Sequence, residues 1–195
     1  MALVSFSLCW LLYISPSVFQ SNNLKGGLAE AQQSPTTSKF VTYDGSKYGF
    51  SIQHPDNWIK KEDSSGIWFI SPVDESGNLR IESQSIQNVS LKELLQFQLL
   101  QSKDSYKEFK IVSSNMTTID KSSANRTDYK FKVEVPKFMG ADIYDYDAIK
   151  ISTLKDDRLY TVTYFAPPDS FYIFLPIVQK MLASLKIVEK PIVPQ

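Results

Sequence analysis

Apolar and polar side chains alternate with a period of two along most of the chain after its first 40 residues, which predicts β-strands. In residues 129–135 every second side chain is Tyr, Phe or Val, and each side chain between them is Lys or Glu. Residues 48–53 alternate in the same way, and residues 148–154 and 159–165 flank a Lys-Asp-Asp-Arg sequence typical of a hairpin turn. Strands with one polar face favour an antiparallel sheet, because that face can remain in water.

Two other segments space their apolar side chains three and four residues apart, which predicts helices. The first follows Ser90, which forms a capping box with Glu93, and its apolar face continues to about Ser102. The second is predicted to begin near Pro176, because proline suits a first helical turn. Its apolar stripe comprises Ile177, Val178, Met181, Leu182 and Leu185. The whole pattern predicts an α+β fold with a central antiparallel β-sheet flanked by helices, an α/β/α sandwich.

The first residues predict export from the cytoplasm. No charged side chain precedes Lys25, and residues 3–14 are dense in apolar side chains, as in the hydrophobic region of a secretory signal. An Ala-Glu-Ala sequence allows cleavage before Gln32. Because residues 2–19 nearly reach the length of a spanning helix and no cation precedes them, a retained anchor stays open.

These features divide the chain into four segments. Residues 1–31 are predicted to be a signal peptide or membrane anchor, and residues 32–39 a polar linker rich in Ser, Thr and Pro. Residues 40–188 form the folded domain, and residues 189–195 a flexible tail with two prolines. The expected location is extracytoplasmic, either secreted or tethered to the outer face of the cell membrane.

Charge and composition exclude several classes of function. Lys and Arg together number 21, and so do Asp and Glu, so the basic excess of a nucleic-acid-binding protein is missing. With one Cys and one His, neither a Cys/His zinc site nor an internal disulfide is supported. Three sequons, at Asn88, Asn115 and Asn125, fit an exported glycoprotein and are the glycosylation candidates.

Catalysis and metal binding have few candidate residues. His54 is the only imidazole, so an acyl-transfer mechanism would depend on it, but its place directly before Pro55 favours a structural role. Asp142, Asp145 and Asp147 are candidate calcium ligands. In a strand Asp145 and Asp147 would share one face and Asp142 the other, whereas a loop would bring all three together. The alternative is that they are solvated acids. No cofactor is expected apart from calcium at these three acids.

Aromatic residues are dense in the last third of the chain. Core packing explains most of them, but those near the Pro-Pro sequence at 167–168 would make good interface anchors if they were exposed. The candidate partner patch comprises Tyr164, Phe165, Phe171 and Tyr172.

The sequence from residue 48 to residue 58, Tyr-Gly-Phe-Ser-Ile-Gln-His-Pro-Asp-Asn-Trp, resembles the opening of PsbP-like domains, in which a Gly-Phe strand leads to a Pro and then a Trp. Residues 160–166 and the helix that ends in Met-Leu-Ala-Ser-Leu-Lys agree with that family. The resemblance covers nearly all of residues 40–188 and implies the PsbP/Mog1 fold, as in exported archaeal PsbP-like proteins. Photosynthetic members are extrinsic, non-catalytic subunits of a membrane complex. Their N-terminal binding extension has no match here, so the photosystem role is not carried over.

We therefore expect a non-enzymatic extracytoplasmic accessory or binding module that docks on a membrane-associated protein complex or a cell-surface protein. One alternative is a domain that binds a small ligand or calcium, and another is an exported hydrolase that uses His54. The chain is expected to be a monomer, to bind no nucleic acid, and to touch the membrane only through an uncleaved N-terminal segment.

Overall fold

The computed structural model describes residues 38–73, 77–138 and 140–188, and these residues form two antiparallel sheets and two α-helices. The predicted signal or anchor segment, all but the last two residues of the linker, and the tail lie outside the described residues. Within the described part of the chain, no helix combines the length and the apolar character needed to span a bilayer.

In chain order the elements are β1 (Phe40–Gly45), a 3-10 turn (Ser46–Tyr48), β2 (Phe50–Pro55), β3 (Ile59–Glu62), β4 (Gly66–Ile70), β5 (Asn78–Ser85), α1 (Leu91–Ser105), β6 (Lys107–Ile119), β7 (Ser122–Pro136), β8 (Ala141–Lys155), β9 (Arg158–Ala166), α2 (Pro168–Ser184) and β10 (Lys186–Ile187). The large sheet has the order β3-β4-β5-β9-β8-β7-β6, and the small sheet the order β1-β2-β10. Every pair of neighbouring strands is antiparallel, as the alternation predicts.

One face of the large sheet, called the α2 face below, packs against α2 and the small sheet. Because successive side chains of a strand point to opposite faces, β9 sends Tyr160, Val162 and Tyr164 into this core. The small sheet contributes Phe50, which is fully buried, and α2 contributes Met181, also fully buried. This is the main hydrophobic core of the domain.

The opposite face, called the α1 face, carries α1. Leu94 of α1 packs with Leu159, and the side-chain amide of Gln98 donates to the hydroxyl of Thr161 at 3.1 Å and accepts from that of Ser152 at 3.1 Å. Past the end of α1, Tyr106 packs on an aromatic cluster of this face. The expected antiparallel sheet with two helices is therefore confirmed in its coarse form, but a second sheet, which the sequence pattern did not reveal, shares the α2 face.

The start of α1 agrees with the sequence prediction, and the start of α2 does not. α1 begins with the predicted capping box, in which Ser90 accepts from the Glu93 amide and the Glu93 carboxylate accepts from the Ser90 amide at 2.9 Å. The predicted start of α2 at Pro176 is wrong, because the helix begins at Pro168 and contains Pro176 in its interior. Pro168 already supplies the proline of the first turn. Pro176 has no amide proton to donate within the helix, but the burial of apolar side chains before and after it stabilises the helix at this point.

The glycine of the Gly-Phe pair at the start of β2 is required by the backbone conformation. Gly49 has a φ of 83°, in the left-handed region, and a Cβ placed there would lie 2.7 Å from the hydroxyl of Tyr160. Only glycine therefore lets the chain pass from the 3-10 turn into β2 against β9.

We predict that Ser90→Ala lowers the free energy of unfolding by about 1 kcal/mol, because the Glu93 amide loses its acceptor at the start of α1. Glu93→Gln is the matched control, since an amide oxygen can still accept from the Ser90 amide, and it should cost clearly less. Urea denaturation of both variants measures the difference. Equal losses in the two variants would contradict a role for the Ser90 hydroxyl.

Candidate protein-binding surface

The hairpin of β7 and β8 extends past the rest of the large sheet. The pairing of β6 with β7 stops at Lys132, and that of β9 with β8 begins at Asp147. Residues 133–138 and 140–146, called the ribbon below, therefore pair only within the hairpin of β7 and β8 in the described part of the chain. A two-stranded ribbon is marginally stable by itself in water, so this segment depends on its base and on any contact it makes.

The end of the ribbon presents apolar side chains to solvent. Phe138 in the connecting turn is completely exposed, and Ile143 of β8 is 58% exposed. The turn is closed by the Lys137 amide, which donates to the Gly140 carbonyl at 3.0 Å, and Gly140 has a left-handed φ of 85°. Exposed aromatic side chains at a projecting end are typical contacts for another protein.

At the base of the ribbon the α1 face carries five aromatic side chains in a row, called the aromatic strip. Four of them are half-buried and one is buried. Neighbouring ring centroids lie 4.2 to 6.0 Å apart along the row Trp68, Phe165, Tyr146, Phe131 and Tyr106. Burial raises the pKa of Tyr146 to about 12, so its hydroxyl remains a hydrogen-bond donor near neutral pH. The strip therefore offers apolar area together with a polar group.

Trp68 is held in place by Arg80, whose guanidinium carbon lies 4.5 Å from the centroid of the Trp68 ring. Arg80 is only 7% exposed, and it donates to Asp63 at 2.9 Å and to Glu82 at 3.0 Å. Burial raises the pKa of Asp63, but the Ser65 amide and the Arg80 charge outweigh it, so the net shift is downward. The charged partners fix Arg80, and Arg80 in turn fixes one end of the strip.

Lys150 lies on the α1 face between Thr127 of β7 and Thr163 of β9. Its ammonium nitrogen is 5.8 Å from the centroid of the Tyr129 ring. Burial lowers the pKa of Lys150, while the charge of Glu82 opposes that shift. Sequence reasoning missed this residue, although a single lysine within the apolar-polar alternation of a central strand is a signal that could have found it.

His54 is buried, with 1% of its surface exposed, and packs 4.8 Å from the Phe69 ring. Its Nδ1 lies 2.7 Å from the Pro55 carbonyl, which can only accept, so Nδ1 carries the proton. Its Nε2 is buried without a hydrogen-bond partner among the described residues. A substrate cannot reach this imidazole in the structure, and the geometry fits the structural role expected from the sequence.

The three predicted calcium ligands fall on β8, so they occupy both of its faces, as a strand requires. Asp142 accepts from the Tyr144 hydroxyl at 3.0 Å and pairs with Lys137, and Asp147 is buried and pairs with Lys130 at 3.0 Å. The described residues contain no group of three or more His, Cys, Asp or Glu side chains arranged to hold a metal ion. Calcium binding at Asp142, Asp145 and Asp147 stays a prediction.

The structure does not bring the four residues of the predicted partner patch to one surface. Tyr164 and Phe171 are buried and stacked, with ring centroids 4.9 Å apart, and the Tyr164 hydroxyl donates to the Phe171 carbonyl at 2.8 Å. Phe165 lies on the other side of the sheet, in the aromatic strip. Tyr172 is 69% exposed and lines a cleft of about 160 Å³ between α2 and β6, β7 and β8.

The three sequons occupy different environments. Asn88 is exposed in the loop before α1 and Asn115 is exposed on β6. Asn125 is half-buried on β7, where its amide donates to the Ser114 hydroxyl at 3.3 Å. Glycosylation at these positions stays a prediction.

Sequence comparison finds no relative, since no family model and no curated protein matches the chain. Solved structures do match. Cyanobacterial PsbP (CyanoP) of Synechocystis has a TM-score of 0.59 at 13% identity, over 84% of this chain and 97% of its own. The Ran-binding protein Mog1p of Saccharomyces cerevisiae has a TM-score of 0.52 at 9% identity, over 78% of this chain and 97% of its own. This chain has the PsbP/Mog1 fold.

A Pseudomonas aeruginosa protein of unknown function is also similar, with a TM-score of 0.52 at 16% identity, over 78% of this chain and 98% of its own. The PsbP/Mog1 fold expected from the Gly-Phe-to-Trp sequence is therefore confirmed. At these identities the likeness shows the fold alone, and a shared fold does not imply a shared function.

The buried imidazole of this PsbP/Mog1 fold predicts a pH-dependent stability. Burial lowers the pKa of His54, the Pro55 hydrogen bond opposes that shift, Lys60 lowers the pKa further and Asp56 raises it. The folded pKa lies below that of the unfolded chain, about 6.5, so the unfolded chain takes up the proton first as the pH falls. The free energy of unfolding should therefore fall between about pH 7.5 and pH 5.5.

Urea denaturation at the two pH values measures this loss, and His54→Asn is the control because its amide can still donate to the Pro55 carbonyl. The variant should show a clearly smaller pH dependence, since the chain has no other histidine. An equal loss in the native chain and in the variant would contradict the assignment to His54.

Proposed function

We propose that this chain is a non-enzymatic accessory or binding module that works outside the cytoplasm and docks on a membrane-associated protein complex or a cell-surface protein. The observation that carries the proposal is the aromatic strip at the base of the projecting ribbon. Trp, Tyr and Arg dominate the binding energy of protein interfaces, and this surface places Trp68, Arg80 and Tyr146 close together.

The burial of His54 supports a non-enzymatic role, because the one imidazole of the chain is shielded from any substrate. Mog1p, which shares the fold, is named as a Ran-binding protein, so the same architecture serves protein recognition in another organism. The extracytoplasmic location is supported by the apolar N-terminal segment and the polar linker that follows it.

We predict that the full chain, used as bait, retains a membrane protein from detergent-solubilised membranes of its own organism, in a constant molar ratio of that protein to the bait. Trp68→Ala should weaken that binding by about 2 kcal/mol, or about thirtyfold, because it removes the aromatic end of the strip. Ile173→Ala is the matched control, since Ile173 is 55% exposed on α2, away from the strip. The dissociation constants of the three baits are compared by titration of the purified partner.

Equal affinity of the native chain and Trp68→Ala for that partner would exclude the strip as the docking surface. Failure to retain any protein in constant ratio would contradict the accessory role itself.

A further inference from the structure

The outer edge of the ribbon is open along β8. β9 ends at Ala166, opposite Asp147, and Pro167 then directs the chain into α2. Among the described residues, no strand lies along residues 141–146 on the side away from β7. A strand edge of this length is a template for pairing with another strand.

The two edges of the ribbon differ in how well they are protected. Along β7, Pro136 lacks an amide proton, and Glu134 forms an ion pair with Lys107 of β6. β6 is also irregular where it begins, with a shift of register between Lys107 and Lys110. Proline, bulges and charges are the usual devices that block an edge. The β8 edge contains neither proline nor an irregular register, and its two charged residues have partners within the hairpin, since Asp142 pairs with Lys137 and Asp145 lies 4.0 Å from Lys132. It is therefore the edge better suited to pairing.

We propose that two copies of this chain pair antiparallel through the β8 edges of their ribbons, about a two-fold axis at Ile143. In such a pairing, a residue that precedes the central residue in one copy lies opposite the residue that follows it by the same number of positions in the other copy. The axis has to pass through a residue pair, because only then do opposite side chains lie on the same face of the sheet. The choice of centre therefore decides which side chains meet.

Only one centre fits the residues along this edge. A centre at Asp142 would oppose two Asp142 carboxylates, and a centre at Tyr144 would bring Ala141 against Asp147, which already pairs with Ala166. A centre at Ile143 opposes Ile143 to its own copy and Ala141 to Asp145, and it places Asp142 opposite Tyr144. No like charges then face each other.

The side chains along this edge suit that register. Ile143 is 58% exposed in the single chain, and pairing would cover it with an identical apolar side chain. The Tyr144 hydroxyl already donates to Asp142 at 3.0 Å within one chain, so the same donor and acceptor are matched chemically between copies. Two ribbons side by side form four strands, which relieves the marginal stability of each. This proposal departs from the monomer expected from the sequence, and it does not rest on the proposed docking role of the aromatic strip.

Engineered cysteines test the register directly. In the full chain with Cys9→Ser, Ile143→Cys places the new thiol opposite itself in the other copy, so mild oxidation should give a covalent dimer as the main product. Ala141→Cys alone and Asp145→Cys alone should remain largely monomeric, whereas a mixture of these two variants should cross-link. Equal cross-linking of all three single variants, or none, would overturn the proposal.

Sedimentation of the chain with Cys9→Ser provides a second measurement that needs no thiol. Its weight-average mass should rise towards that of a dimer as the concentration increases, and Ile143→Lys should lose this rise, because two ammonium groups would then face each other. Ile143 is exposed, so the variant should keep its circular dichroism spectrum. A monomer at every concentration would overturn the proposal, and so would a dimer that Ile143→Lys leaves intact. Retention of a partner's strand along β8 without self-association would identify a different occupant and also overturn it.

Discussion

The structure depends first on the pairing of β7 with β8. Thirteen consecutive residue pairs join the two strands without a break in register, from Ala124 opposite Thr153 to Pro136 opposite Ala141. The pairs near Ala124 lie inside the large sheet, with β6 on one side and β9 on the other. The four pairs from Val133 opposite Tyr144 to Pro136 opposite Ala141 have no further strand beside them among the described residues and form the end of the ribbon. One continuous interaction thus produces the core and the projecting surface.

The alternation of side chains in these strands explains why the two faces differ. Ile149 and Ile151 point into the main core below α2, while Tyr129 and Phe131 point to the α1 face. α1 covers the part of that face where Gln98 meets hydroxyl groups, and past its end four of the five side chains of the aromatic strip are left half-buried. The aromatic strip therefore results from a short helix over a long hairpin, and its position favours contact with a protein over chemistry in a cleft.

Much of the fold could be predicted because it depends on local patterns. Three features are determined by residues close together in sequence: the alternation in residues 129–135, the hairpin turn at Asp156 and Asp157, and the capping box at Ser90. Both residues of the hairpin turn have positive φ. The start of α2 was missed because two prolines could each open a helix, and only tertiary packing distinguishes them.

The candidate surface was harder to predict, because it depends on where strands stop relative to each other. Nothing near Phe165 in the sequence shows that Trp68 and Tyr146 lie beside it, since the contacts join β4, β8 and β9. The predicted patch grouped residues by nearness in sequence, although Phe165 and its neighbour Tyr164 point to opposite faces of one strand. The ribbon was missed for the same reason, because the points at which neighbouring strands end are a property of the assembled sheet.

Amide hydrogen exchange along β7 and β8 tests the central claim most directly, at a concentration low enough to keep the chain monomeric. If the ribbon projects beyond the sheet, amides of residues 133–135 and 141–146 should exchange much faster than those of residues 124–131 and 148–153 in the same two strands. Uniform protection along the full length of both strands would contradict the account, because it would mean that the ribbon is covered within the single chain.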